Sequence, residues 1–304
     1  SQMTKKIKKN QTFINAGDVQ LSIYEWRKSS SHLHTIVFIH GYPDDASVWN
    51  QLAEQLALTH HVVSYDVRGT GLSTAPLSRK GYTFEYLIAD LEYVIQHVSP
   101  NKKVHLVGHD WGALQGWEAV FDPNIQHKIQ SYTALAPSLD HVGAWFHQQL
   151  RSLQPRQQFI AVKQLLSSSY MAFFNLPFVP ELSWKVALAK RWPSILSRLE
   201  KVDIETTPHQ LRNGVNGLEL YRNNLFNHLF FPKNRMTSVP VHLLSMTQDP
   251  FVPQHLLIGL EKSTNAQFQR TDIGAGHWGI LSQPQGIAES MTNFIQQFKL
   301  AKVA

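Results

Sequence analysis

The sequence predicts an α/β fold: an eight-stranded, mostly parallel sheet flanked by helices and interrupted by one helical insertion. Three observations carry this reading. Short β-type runs alternate with runs of helical period along most of the 304 residues. Several β-type runs, such as Ile36-Val37-Phe38-Ile39, are continuously apolar, the pattern of strands buried on both faces of a parallel sheet. The stretch 138–235 breaks the alternation, with no clear strand and much Trp, Phe, Tyr, Pro and Leu.

In chain order, residues 11–16 and 19–26 flank Gly17-Asp18 and read as a hairpin. Further strands are expected at 35–40, 61–66, 103–108, 129–136, 239–246 and 267–273. Leu87, Leu91, Val94, Ile95 and Val98 recur at helical spacing. So do Ile287, Met291, Phe294, Ile295 and Phe298, with Pro284 near that helix's start. The expected division is a core of residues 1–137 and 236–304, with 138–235 as a helical lid inserted after the sixth strand. A lid over the strand ends would exclude water and supply apolar walls, although most of its aromatics would form the lid's own core.

Composition narrows the function classes. Hydrophobic residues make up 43 % and charged residues 16 %, too apolar for disorder. No apolar run reaches the ~18 residues that cross a bilayer. Lys5, Lys6, Lys8 and Lys9 resemble the charged start of a signal peptide, but polar Asn10-Gln11-Thr12 follows where an apolar segment should be. The net charge of +6 includes this run, read as a solvated arm, and no nucleic-acid-binding signature accompanies it. There is no Cys, which excludes disulfides, thiol catalysis and Cys-ligated zinc and makes a reducing cytoplasm the expected location.

The chemistry concentrates where the fifth strand ends. Gly108-His109-Asp110-Trp111-Gly112 lies between an apolar run and a helical one. Glycines on either side permit a sharp turn that holds the central side chain out at a helix N-terminus, where the dipole favours an anion. This segment resembles the G-x-nucleophile-x-G turn of the α/β-hydrolase fold family, with Asp110 where Ser commonly sits. The resemblance covers nearly the whole chain. His40-Gly41-Tyr42-Pro43 resembles the family's H-G-x-P oxyanion loop, which implies that the backbone N–H groups of Tyr42 and Trp111 form an oxyanion hole. Asp66-Val67-Arg68-Gly69-Thr70-Gly71-Leu72-Ser73 resembles a loop whose role in the family is mostly structural, so Arg68 receives no chemistry. The family's order of nucleophile, acid and histidine points to Asp249, after the seventh strand, and to His277 in Gly274-Ala275-Gly276-His277-Trp278 after the eighth. Asp249 could instead be a loop cap before Pro250, but the catalytic-acid reading is the favoured one. Asp44, Asp45 and Asp140 read as solvated loop carboxylates.

A carboxylate is a poor acylating nucleophile but can displace a leaving group at saturated carbon and form an alkyl ester. Water must then attack the carboxyl carbon of Asp110, with His277 as base, oriented by Asp249. A halide or an epoxide oxygen fits as leaving group. The alkoxide from an epoxide needs an acid, and Tyr, with a pKa of ~10, can supply the proton. Tyr170-Met171-Ala172-Phe173-Phe174-Asn175-Leu176-Pro177 and Gly217-Leu218-Glu219-Leu220-Tyr221-Arg222 resemble the two segments that carry ring-opening tyrosines in epoxide hydrolases, with Asn175 replacing a usual Gln. Either Tyr could instead be a lid core aromatic. The resemblance implies an epoxide hydrolase that takes a small apolar epoxide and water to a vicinal diol, without metal or organic cofactor. Phe173 and Trp278 are expected at the substrate pocket. The alternatives are a haloalkane dehalogenase, for which the Trp111 indole N–H could hold halide, and a non-catalytic ligand-binding module. Tyr42 stands where haloalkane dehalogenases typically carry Asn, and Trp111 and Leu114 stand where fluoroacetate-type dehalogenases carry arginines. Related hydrolase domains are also found fused to a reductase domain, so a fusion to another domain stays open, as does the oligomeric state.

Overall fold

The apolar runs meet side by side in a computed structural model that describes residues 6–303. The strands are β1 (Lys9–Ala16), β2 (Val19–Trp26), β3 (Thr35–Ile39), β4 (His61–Tyr65), β5 (Val104–Gly108), β6 (Ile129–Ala134), β7 (Val241–Met246) and β8 (Phe268–Ile273). They form one sheet in the order β1-β2-β4-β3-β5-β6-β7-β8. β1 pairs antiparallel with β2, and β2 antiparallel with β4; the remaining pairings are parallel. Every residue of β3, β4, β5 and β7 is buried, as continuous apolarity predicted.

The flanking helices of the core are α1 (Asn50–Leu56), α2 (Phe84–Val98), α3 (Trp111–Phe121), α10 (Gly279–Ser282) and α11 (Pro284–Ile295). The helical-period residues of α2 and α11 named above are buried, except that Phe298 lies beyond the end of α11. Each such side chain contributes roughly 1.5–3 kcal/mol by leaving water. Between β6 and β7 the described chain is helical: α4 (Leu139–Arg151), α5 (Pro155–Ser167), α6 (Ser169–Asn175), α7 (Val179–Ser183), α8 (Ala189–Glu200) and α9 (Gln210–Phe230). No described helix is long and apolar enough to cross a membrane.

The strand order places the site. β3 lies between β4 and β5, so the chain's crossovers reverse direction there, and crevices open at such points beyond the carboxyl ends of strands. Ile39 is in register with Gly108, so the loop after β3 and the turn after β5 leave the sheet side by side.

Several polar expectations change. Lys5 lies outside the described residues. Lys6, Lys8 and Lys9 are exposed, as a solvated run would be, while Lys6 also pairs with Glu54 at 3.2 Å and Lys9 starts β1 with its ammonium over Tyr24. Asp44, Asp45 and Asp140 are buried, not solvated, because partners distant in sequence satisfy them. Asp45 accepts from Thr207 and Asn213, which ties the β3 loop to the insertion. Asp140 and Glu118 of α3 both accept from Arg235, and His228 lies 3.3 Å from Asp140. Arg68 is buried between Asp90 and Asp18 and donates to the Gly81 carbonyl, a structural clamp.

Candidate active site

Asp110 occupies a backbone conformation that L-residues seldom adopt, with φ 56° and ψ −125°. The turn exists because β5 must reverse into α3 within two residues. A Cβ on Gly112 would collide with the carbonyls of Ile39 and His40, and one on Gly41 with the Asp110 side chain. These glycines let β3, the turn and α3 approach closely enough to bring Asp110 against the β3 loop.

Both oxygens of Asp110 are engaged. Oδ2 accepts from the Tyr42 backbone N–H at 2.8 Å. Oδ1 lies 3.0 Å from His277 Nε2, and His277 Nδ1 lies 2.7 Å from Asp249 Oδ2. The other oxygen of Asp249 accepts from the N–H groups of Phe251 and Val252. Asp249 thus uses one oxygen to cap the loop and the other to hold the His277 imidazole. His109 donates Nε2–H to the His277 carbonyl at 2.7 Å when that nitrogen carries the proton. Burial, then the neighbouring His277 charge, pushes the pKa of His109 down to about 4, so it is a neutral support.

Burial alone would make His277 harder to protonate. The carboxylates of Asp249 and Asp110 outweigh it and hold its pKa well above the usual histidine value. Burial likewise opposes ionisation of Asp110, but His277 and the Tyr42 N–H reverse the effect and lower its pKa. The arrangement favours the charged form of the His277 imidazole between the Asp110 and Asp249 side chains. Asp110→Asn removes one of those anions, so the His277 pKa should fall in the variant. Titration of the imidazole ¹⁵N resonances reads the shift directly; an unchanged or higher pKa would contradict the ion pair.

Tyr170 on α6 and Tyr221 on α9 approach from the insertion. Burial raises both phenol pKa values, and the charge of Asp110 raises them further, with Asp249 adding to the effect on Tyr170. Both phenols are thus within electrostatic reach of Asp110 and stay protonated. The Tyr221 ring packs edge-on against Trp111 and Tyr42 at 4.9 and 5.2 Å. Tyr42 itself faces the insertion: its hydroxyl donates to the Gly214 carbonyl and accepts from the Trp184 indole.

The two expected pocket residues take different places. Phe173 is half-buried, and its neighbour Phe174 packs against Tyr42, Tyr170 and Tyr221. Trp278 is buried beside the His277 ring and donates its indole N–H to Asp44. Burial pushes the Asp44 pKa up to about 7, against the pull of that hydrogen bond. Sequence reading also passed over Phe251, whose ring lies between Tyr170 and His277, and Glu200, which accepts from the Trp278 N–H. Phe251 had a usable signal, its position two residues after Asp249. Glu200 had none, being buried at the end of a helix whose partners come from the His277 loop.

The sheet order and the residues gathered at its carboxyl edge define a class, and the chain belongs to the alpha/beta hydrolase fold family, whose model matches residues 34–284. It is an alpha/beta hydrolase related to epoxide hydrolases. Epoxide hydrolase 3 of Xenopus tropicalis is 27 % identical over 278 residues, which cover 86 % of this chain and 71 % of that protein. The "Probable oxidoreductase EphD" of Mycobacterium tuberculosis is 31 % identical over 272 residues; these cover 86 % of this chain but only 45 % of that protein. Among solved structures, an epoxide hydrolase of Bacillus megaterium in complex with an inhibitor has the same fold, with a TM-score of 0.74 at 24 % identity over 94 % of this chain and 100 % of the other.

Proposed function

We propose that this chain is an epoxide hydrolase that works through a covalent ester on Asp110. The observation that carries the proposal is the division of labour between the two Asp110 oxygens, one held by the Tyr42 N–H and one beside His277, and the Tyr170 and Tyr221 phenols, whose pKa values the Asp110 charge raises, support it. Oδ2, held by the Tyr42 N–H, is suited to become the ester carbonyl oxygen. Oδ1, on the His277 side, makes the attack. As the Oδ1–carbon bond forms, the ring C–O bond breaks, and the oxygen takes a proton from Tyr170 or Tyr221. Solvent returns that proton to the phenolate.

Esterification also switches His277. It removes one of the two carboxylates that favour the imidazolium, so the ring becomes more acidic and can lose its proton. Neutral His277, oriented by Asp249, then takes a proton from water, and the resulting hydroxide adds to the carboxyl carbon. The oxyanion forms on Oδ2 against the Tyr42 N–H, with the Trp111 N–H as the second expected donor. Collapse breaks the bond from the carboxyl carbon to Oδ1. The departing alkoxide takes a proton from His277 and leaves as a vicinal diol. Asp110 opens the ring and water then frees the product from the ester, and the residues that carry these steps all belong to this chain. Residues 138–235 act as the lid over this site.

The test is single turnover of styrene oxide in heavy-oxygen water. The label should enter the Asp110 carboxylate, and the first diol formed should carry none. Label in the first diol would mean that water attacks the ring directly. Bromide release from a bromoalkane, with no turnover of styrene oxide or a fatty epoxide, would assign the same Asp110 to dehalogenation. Absence of both reactions would leave a ligand-binding role.

A further inference from the structure

The excess positive charge of this chain sits in one part of it. Residues 138–235 hold twelve Lys and Arg against six Asp and Glu, and the remainder holds sixteen of each. Within the insertion, the forty residues 141–180 contain no acidic side chain and three cations, Arg151, Arg156 and Lys163.

The helix α5, in the middle of that stretch, is built inside out. Its inner face carries buried Ala161 and Gln164, and Gln164 bonds Ser168 and His255. Its outer face carries Phe159, 67 % exposed, and Leu166, 72 % exposed, with Val162 between them. Arg156 and Lys163 lie on the same exposed stripe at helical spacing. Beyond α6, Phe178 is likewise 75 % exposed. A helix ordinarily turns its apolar side toward the core. An outward apolar stripe laced with cations is the pattern of a helix that lies in a membrane interface.

We infer that the outer face of α5 docks on a bilayer surface rich in anionic lipid. Phe159, Val162 and Leu166 would enter the boundary between headgroups and acyl chains, while Arg156 and Lys163 meet the phosphates. Charge decides between occupants. A second copy of the chain would set one cationic insertion against another, whereas an anionic surface complements both the stripe and the excess around it.

Flotation of the full chain with vesicles tests this without substrate, so the outcome is independent of the proposed reaction. Phosphatidylcholine vesicles with about a third phosphatidylglycerol should carry the protein, and pure phosphatidylcholine should not. Added salt should release it. Arg156→Gln and Lys163→Gln should each weaken binding about fivefold, and Phe159→Ser combined with Leu166→Ser by more than about tenfold. These side chains are exposed, so an unchanged circular dichroism spectrum should accompany the loss. No binding to anionic vesicles, equal binding to neutral ones, or indifference to the α5 variants would overturn the inference. A concentration-dependent dimer abolished by Phe159→Ser would do so too, by giving the face to a second copy.

Discussion

Asp110→Asn is expected to lower the initial rate of diol formation by about 10⁴-fold or more, because an amide cannot act as the alkylating nucleophile. The fold should survive the change. Asn tolerates the positive φ of this position better than most residues, and its carbonyl can still accept from the Tyr42 N–H. Its amide can face an imidazole that has become easier to deprotonate. Initial rates and a thermal melt on the same sample check both halves. A folded variant with near-normal initial activity would remove Asp110 from the chemistry.

His277→Gln separates the two halves of the reaction. Attack by Oδ1 needs no base, so the first step should continue, while water goes unactivated. Steady-state turnover should fall by about 10³-fold. One equivalent of substrate should accumulate as an ester, seen in the intact mass of the protein as an increase equal to one epoxide. If turnover falls and no ester appears, His277 is needed for the first step and the proposed order is wrong. Wild-type turnover would place the base elsewhere.

The outline of this fold was legible because burial on both faces favours largely apolar runs, and four strands are buried throughout even though three of them also bury a His or Ser. The local turn around Asp110 was legible too, since its glycines are demanded by contacts close to the turn and to the β3 loop. Long-range satisfaction of polar groups was not. Asp45 appears solvated until Asn213, 168 residues away, returns to donate to it. Helix phase was a second blind spot. Phe173 and Phe174 are adjacent and chemically identical, and only the packing of α6 on α9 turns Phe174 toward the phenols. The location of the net charge was hard to see for another reason. A run of four lysines is conspicuous, while twelve cations dispersed over four helices and the connecting segments are not.

The ion cluster of Glu118, Asp140, His228 and Arg235 has a consequence for how such proteins diversify. Asp140 opens the first inserted helix, His228 closes the last, and Arg235 lies on the return to β7, yet all converge on one acidic residue of α3. The six-helix excursion therefore leaves and rejoins the scaffold through a single ionic knot. Recombination between homologues that carried Asp140, His228 and Arg235 together could exchange the whole insertion while Asp110, Asp249 and His277 stayed in the turns after their own strands. A breakpoint between Asp140 and Arg235 would strand buried carboxylates without their guanidinium.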